Sequence, residues 1–309
     1  MIVRQQKFEM PKNFLFNLAG CSVIVLAGVL AIRSSVVKDE VPLCEARYGG
    51  GLLFSFASSS GEPFTPEDIQ ARLGGMDWGL TANARVVAET GVAKGHALEV
   101  ALRGASPRDA NSQTRSGMGF IWQPRQLAAA ASACLSYSVW TPTDFKTGEG
   151  GALPGLSSDG ENTADTDQPA AAAAPSADGT PPAADAPLKP FSVRAQWRKD
   201  GGFALQQAQN IGGKSVSQVD GPTLAFKPGQ WTRIEQEAVL NTPGKSNGIL
   251  RMWIDGKLTV ERTNMGYRNS DLQSFQAVSV DTHYIKNGAW AAAPADTRMR
   301  LSPLELRLR

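Results

Sequence analysis

The sequence has little of what most catalytic centres are built from. Two histidines, His96 and His283, and three cysteines in 309 residues leave no run with the spacing of a zinc or iron–sulfur site, so no metal centre is expected. No Walker loop, dinucleotide glycine fingerprint or nucleophile-elbow motif occurs, and no organic cofactor is expected. Charge of one sign is missing as well. The 31 basic and 29 acidic residues leave a formal charge of +2, and no basic run is interleaved with aromatics, which argues against a nucleic-acid partner. Long apolar runs are confined to one place, residues 13–32 (NFLFNLAGCSVIVLAGVLAI), which carry no charge.

That run is long enough to cross a bilayer as one helix. Arg4, Lys7 and Lys12 precede it, so the positive-inside rule places residues 1–12 in the cytoplasm and the rest of the chain outside. A cleaved signal peptide is the competing reading, with Val29 and Ala31 at the small-residue positions, and Leu18-Ala19-Gly20-Cys21 has the look of a lipobox. The expectation is a single-pass inner-membrane anchor with the body in the periplasm or outside the cell. In such a compartment Cys44 and Cys134 either oxidise to a disulfide or stay as two buried thiols, and their spacing alone does not decide.

Beyond the anchor the chain reads as short alternating runs separated by glycine, proline and asparagine turns. Expected strands are 84–90, 97–104, 117–123, 134–140, 191–198, 202–209, 230–240, 248–255, 257–264, 275–284 and 299–308, with short helices near PEDIQARLG and PRQLAAAAS. So many strands at this spacing predict an all-β sandwich or jelly roll over residues 45–309. Residues 157–188 break the pattern. They are rich in Ala, Pro, Asp and Ser with almost no large apolar side chain, and read as a disordered insertion.

In FSVRAQWR, residues 191–198, alternation puts Phe191, Val193, Ala195 and Trp197 on one face and Ser192, Arg194, Gln196 and Arg198 on the other. The polar face suits either an ordinary solvated sheet or a groove for an anionic ligand, because the planar guanidinium fork binds carboxylates bidentately. Trp231 and Trp253 share faces with Arg233, Glu235 and Arg251, so one of them is a candidate to stack on a sugar ring, the core being the other destination. Tyr137 alternates with Leu135 and Val139 and reads as core.

The run LSYSVWTPTDF, then GEGGALPGL, FSVRAQWR, GQWTRIEQEAVLN and NGILRMWIDGKL, in that order, resembles the alginate lyases of polysaccharide lyase family 14. The likeness spans roughly residues 85–309. It implies a concanavalin-like jelly roll of two antiparallel sheets that acts on an acidic, uronate-containing polysaccharide by β-elimination in a cleft on a concave sheet. Such a reaction needs a cation on the uronate carboxylate, a base at C5 and an acid for the departing O4.

The family pattern implies a lysine in a GGKLPG turn, a Ser-x-Arg pair and a Tyr-x-Tyr pair. Ser192 and Arg194 match, with Arg194 on the carboxylate, whereas Ala152 stands at the lysine and Leu205 and Gln207 are read at the tyrosines. Substitutes for the proton-transfer groups are Lys146, on the same turn, and His283 and Tyr284, which end a later strand; Gln196, Arg198 and Gln207 are the further substrate-binding candidates. Two readings stay open: a tethered lyase with a relocated base, and a binding or envelope structural protein that has lost its acid and base. A hydrolase built on Glu235 and Glu237 is the third, although these two read as solvated neighbours on one strand face.

Overall fold

The computed structural model describes residues 41–104, 116–158, 190–209, 217–287 and 289–309. The tail at 1–12, the apolar run at 13–32 with Cys21, and residues 159–188 of the expected insertion lie outside the described residues. No described helix is long and apolar enough to cross a membrane.

Alternating sequence is realised as 17 strands among the described residues: β1 Leu52–Phe54, β2 Asp77–Trp78, β3 Ala84–Ala88, β4 His96–Leu102, β5 Met118–Trp122, β6 Ser132–Trp140, β7 Gly150–Ser157, β8 Phe191–Arg198, β9 Gly202–Gln209, β10 Ser217–Ala225, β11 Trp231–Val239, β12 Gly248–Ile254, β13 Lys257–Met265, β14 Ala277–Lys286, β15 Ala289–Ala291, β16 Thr297–Leu301 and β17 Leu304–Leu308. The expected strand at 299–308 is two, because Ser302-Pro303 interrupts it and proline cannot donate to a ladder. Helices are α1 Cys44–Arg47, α2 Pro66–Arg72 and α3 Leu80–Asn83. In α2, Pro66 opens the first turn and Thr65 and Asp68 cap each other's backbone in a capping box. PRQLAAAAS forms only a 3₁₀ turn, Arg125–Ala129.

The strands form two antiparallel sheets. In the first the order is β13-β12-β11-β6-β16-β4-β3, with β17 beside the other half of β6 and β1 beyond it. In the second the order is β10-β9-β8-β7-β14-β5-β2, with β15 on the end of β14. The core lies between them. From β8 it takes Phe191, Val193, Ala195 and Trp197, the apolar set that the alternation marks, and from β6 Leu135, Tyr137 and Val139. One polar link crosses this core: β7 bulges between Ala152 and Gly155, and the carbonyl of Pro154 accepts from Tyr137 Oη at 3.0 Å and Gln236 Nε2 at 2.5 Å.

A second buried cluster lies on the outer face of the first sheet, beneath the chain at 43–48. Cys44 and Cys134 are joined by a disulfide, which resolves the choice that sequence left open. Arg47 Nη1 and Tyr48 Oη both reach Glu237 Oε1 at 2.6 Å, Arg251 Nη1 takes Oε2 at 2.9 Å, and the Arg47 guanidinium lies 5.3 Å from the Trp253 ring. Burial favours the neutral form of Glu237, but the donors from Arg47, Tyr48 and Arg251 outweigh it and hold the carboxyl below its usual range. Glu235 and Glu237 are each 1% exposed, which corrects their reading as solvated. A strap distant in sequence covers them.

Candidate functional site

The site expected from the polar alternation of β8 is the outer face of the second sheet, and strand register decides which side chains share it. Directly paired residues of antiparallel strands project to the same side. Ser192 pairs with Ser157 of β7 and Ala208 of β9, Arg194 with Gly155 and Gln206, and Gln196 with Ala152 and Ala204. The register continues to β14, where Ser279 pairs with Gly155 and His283 with Ala152. Asp281, between them in the alternation, pairs with Gly119 of β5, and Gly119 pairs with Trp78 of β2. Two neighbouring rows on one face therefore carry Gln206, Arg194, Gly155 and Ser279 in the first and Asp281, Gly119 and Trp78 in the second.

Gln207 and Leu205 pair with Val193 and Ala195, both core residues. Their reading as groove-facing equivalents of the tyrosines is therefore one residue out of register, and a one-residue slip exchanges the two faces. Ala204 and Gln206 are the β9 positions that share the face of Gln196 and Arg194. Gln206 and Gln196 join side chain to side chain across the two strands. GGALPG, expected as a turn, is strand β7 with its bulge at Leu153 and Pro154.

The centre of this face is closed. Ala152, Ala204, Asp281 and His283 have no exposure and Arg194 has 5%, while Ser192, Gln196, Arg198 and Gln206 are half-buried. Arg194 Nη2 lies 2.9 Å from Asp281 Oδ2. The guanidinium expected to hold a substrate carboxylate thus already holds one from its own chain. Arg198 is likewise engaged, at 2.7 Å from Asp200 Oδ2 across the β8–β9 turn.

His283 is fully buried, with the Trp78 indole edge-on at 5.6 Å between ring centres. It stands directly beside Ala152, the position at which the resemblance implies a lysine. Tyr284 alternates to the opposite side, into the core against Phe145 and Trp197, and donates its hydroxyl to the carbonyl of Lys146. Burial pushes the Tyr284 phenol above the usual tyrosine range. Lys146 is exposed on the loop before β7. The expected proton-transfer candidates are therefore not gathered: His283 shares the face of Arg194, Tyr284 does not, and Lys146 touches Tyr284 only through its backbone.

The residue that sequence reasoning missed is Asp281. Its signal was present, since in AVSVDTHY it alternates with Ser279 and His283, but its partner Arg194 lies 87 positions away with one strand between them. The candidate sugar-stacking tryptophans belong to the other sheet. Trp253 is buried beneath the strap, and Trp231 pairs with Trp140 on β6. On that sheet a cleft of about 420 Å³ is lined by Asn83, Arg85, Glu99, Asp296 and Arg298 among others, and none of the expected site residues lines it. Cys44, Cys134 and Glu235 approach one another closely enough to suggest a metal set, but both sulfurs are consumed in the disulfide and offer no thiolate.

The fold has close counterparts. A PL-14 alginate lyase from the marine animal Aplysia kurodai superposes with a TM-score of 0.57 at 18% identity, covering 84% of this chain and 100% of that one. Alginate lyase vAL-1 from Chlorella virus gives 0.56 at 15% identity, covering 79% and 97%. A variant of alginate lyase Aly36B in complex with an alginate trisaccharide gives 0.55 at 14% identity, covering 85% and 99%. No curated protein matches the sequence. Residues 91–302, well over half of the chain, match the polysaccharide lyase 14 family, and with the two-sheet fold in place the chain belongs to that family.

Proposed function

We propose that this chain grips a uronate-bearing polysaccharide on the outer face of its second sheet and does not cleave it. The observation that carries this reading is what the flanking strands β7 and β9 place beside Arg194 and Gln196: Ala152, Ala204 and Gln206, with Gly155 leaving no side chain at all. None of these carries a transferable proton, and β-elimination needs both a base at C5 and an acid at O4. What remains suits recognition, with hydroxyl, amide and guanidinium groups of Ser192, Gln196, Gln206 and Arg198 half-buried around Arg194. The trisaccharide complex of the related Aly36B supports an acidic glycan as ligand.

The test pairs two measurements on the full chain with polymannuronate, polyguluronate, polyglucuronate and mixed alginate: calorimetric binding, and ultraviolet absorbance of the unsaturated uronate end. Binding to at least one polymer with a flat absorbance trace is expected. Absence of binding to all of them would sink the reading.

One observation favours turnover as the second reading. His283 stands beside Ala152 on the same face, where its imidazole would take the C5 proton once the Trp78 indole moves aside. A rise in absorbance that persists in Lys146→Ala and is lost in His283→Gln would select this reading over the first.

The address is proposed from the sequence at residues 13–32, which would hold the chain in the inner membrane with its body outside the cytoplasm. The Cys44–Cys134 disulfide supports an oxidising compartment. Alkaline extraction should leave the full chain in the membrane pellet and release a chain beginning at residue 43. Release of both would remove the anchor.

A further inference from the structure

Arg194 and Asp281 sit on strands separated by β7, and two features clear the lane between them. At Gly155 a Cβ would stand 2.7 Å from Arg194 Cα and 3.0 Å from its Cβ, so no side chain interrupts the path across β7. At Gly119, on the other flank of Asp281, a Cβ would overlap both Asp281 Oδ1 and Trp78 Nε1. Those two atoms are therefore near neighbours over a glycine floor. Trp78 Nε1 is buried and has no hydrogen-bond partner among the described residues.

We propose that Asp281 is a built-in stand-in for an external carboxylate: it occupies Arg194 in the free protein, and an acidic sugar binds there by displacing it towards the Trp78 indole N–H. This rests on the polysaccharide reading for the identity of the ligand. A guanidinium draws no chemical distinction between an aspartate and a uronate carboxylate. An occupied Arg194 presents no net charge to a passing polyanion, so the internal anion lowers affinity in the way a tethered competitor does. Trp78 gives the displaced carboxylate a donor, so that it is not left unpaired in a buried place. Asp281 is thus a specificity-setting residue. It demands a ligand able to outcompete a carboxylate held two strands away.

The experiment uses the full chain as wild type, Asp281→Asn and the double variant Arg194→Gln/Asp281→Asn, each titrated calorimetrically with a trimannuronate and a triglucuronate, and each melted in acetate and in chloride at equal ionic strength. Asp281→Asn is expected to bind an acidic trimer about tenfold more tightly than wild type, and to be stabilised by acetate beyond chloride. The double variant, without the guanidinium, should lose both effects. A merely structural Asp281 gives the opposite signs: weaker binding in Asp281→Asn and no preference for acetate. Either of those overturns the proposal. If Asp281→Asn does not fold in chloride, refolding in acetate replaces the melt, and failure of acetate to restore folding also overturns it. Selective acetate rescue with no trimer bound by any variant would remove the polysaccharide reading and leave carboxylate exchange at Arg194 standing. Trimer binding by wild type without acetate rescue would do the reverse.

Discussion

At Gly151 a Cβ would overlap the Trp197 ring and the carbonyl oxygen of His283, so the absence of a side chain there is what lets the largest aromatic of β8 pack against β7. Because Trp197 and the β14 backbone are both buried, neither has room to retreat. Gly151→Ala is expected to cost about 1–3 kcal/mol, the usual range for overpacking, read as a lower urea midpoint with an unchanged slope. Charge at the residue scale makes a second prediction. Glu99 and Glu237 are both held below the usual carboxylate range, burial working against them and their arginine partners prevailing. A depressed folded pKa contributes stability that is fully present above the unfolded value of about 4.3 and is lost as pH falls through the folded value. Denaturation midpoints should therefore fall as pH drops below about 5, and the fall should be shallower in Glu237→Gln than in wild type.

Among the elements, the strap at 43–48 and strand β6 show how a distant segment changes the meaning of a local pattern. Alternation alone placed the core faces of β6 and β8 correctly, because burial on one side and a period of two leave few other solutions. It could not say what would cover the other side. Glu235, Glu237 and Trp253 look solvated or groove-lining from their own strands, yet the segment at 43–48, far earlier in the chain, reaches all three. The same limit applied to Arg194, whose partner lies two strands across, and to β9, where one residue of register separates Gln206 from Gln207. Fold class was legible because it depends on local periodicity. Of the candidate site, the sequence made legible only that Ser192 and Arg194 share the polar face of β8, since cross-strand neighbours are set by topology. Opening the Cys44–Cys134 link, by reductant or by Cys134→Ser, is expected to cost about 2–5 kcal/mol. Hydrogen exchange should then rise at residues 43–51, with β8 and β9 unchanged.

On the scale of the whole molecule, residues Leu43–Arg309 form one compact unit. A chain of residues 43–309 is therefore expected to unfold in a single cooperative transition at the melting temperature of the full chain. A separate early transition, or a large fall in melting temperature, would mean that the preceding residues support the body. The outer faces of the two sheets differ: the second carries the Arg194–Asp281 pair, while the first bears the disulfide and its ion pairs.

The placing of that disulfide has a mechanical consequence. Cys134 lies within β6, which is hydrogen-bonded on one side to β11 and on the other to β16 and β17. Tension applied at residue 43 is passed through the sulfur bridge into an interior strand held on both flanks. The force is spread over two ladders at once and cannot peel the body open from a terminal strand.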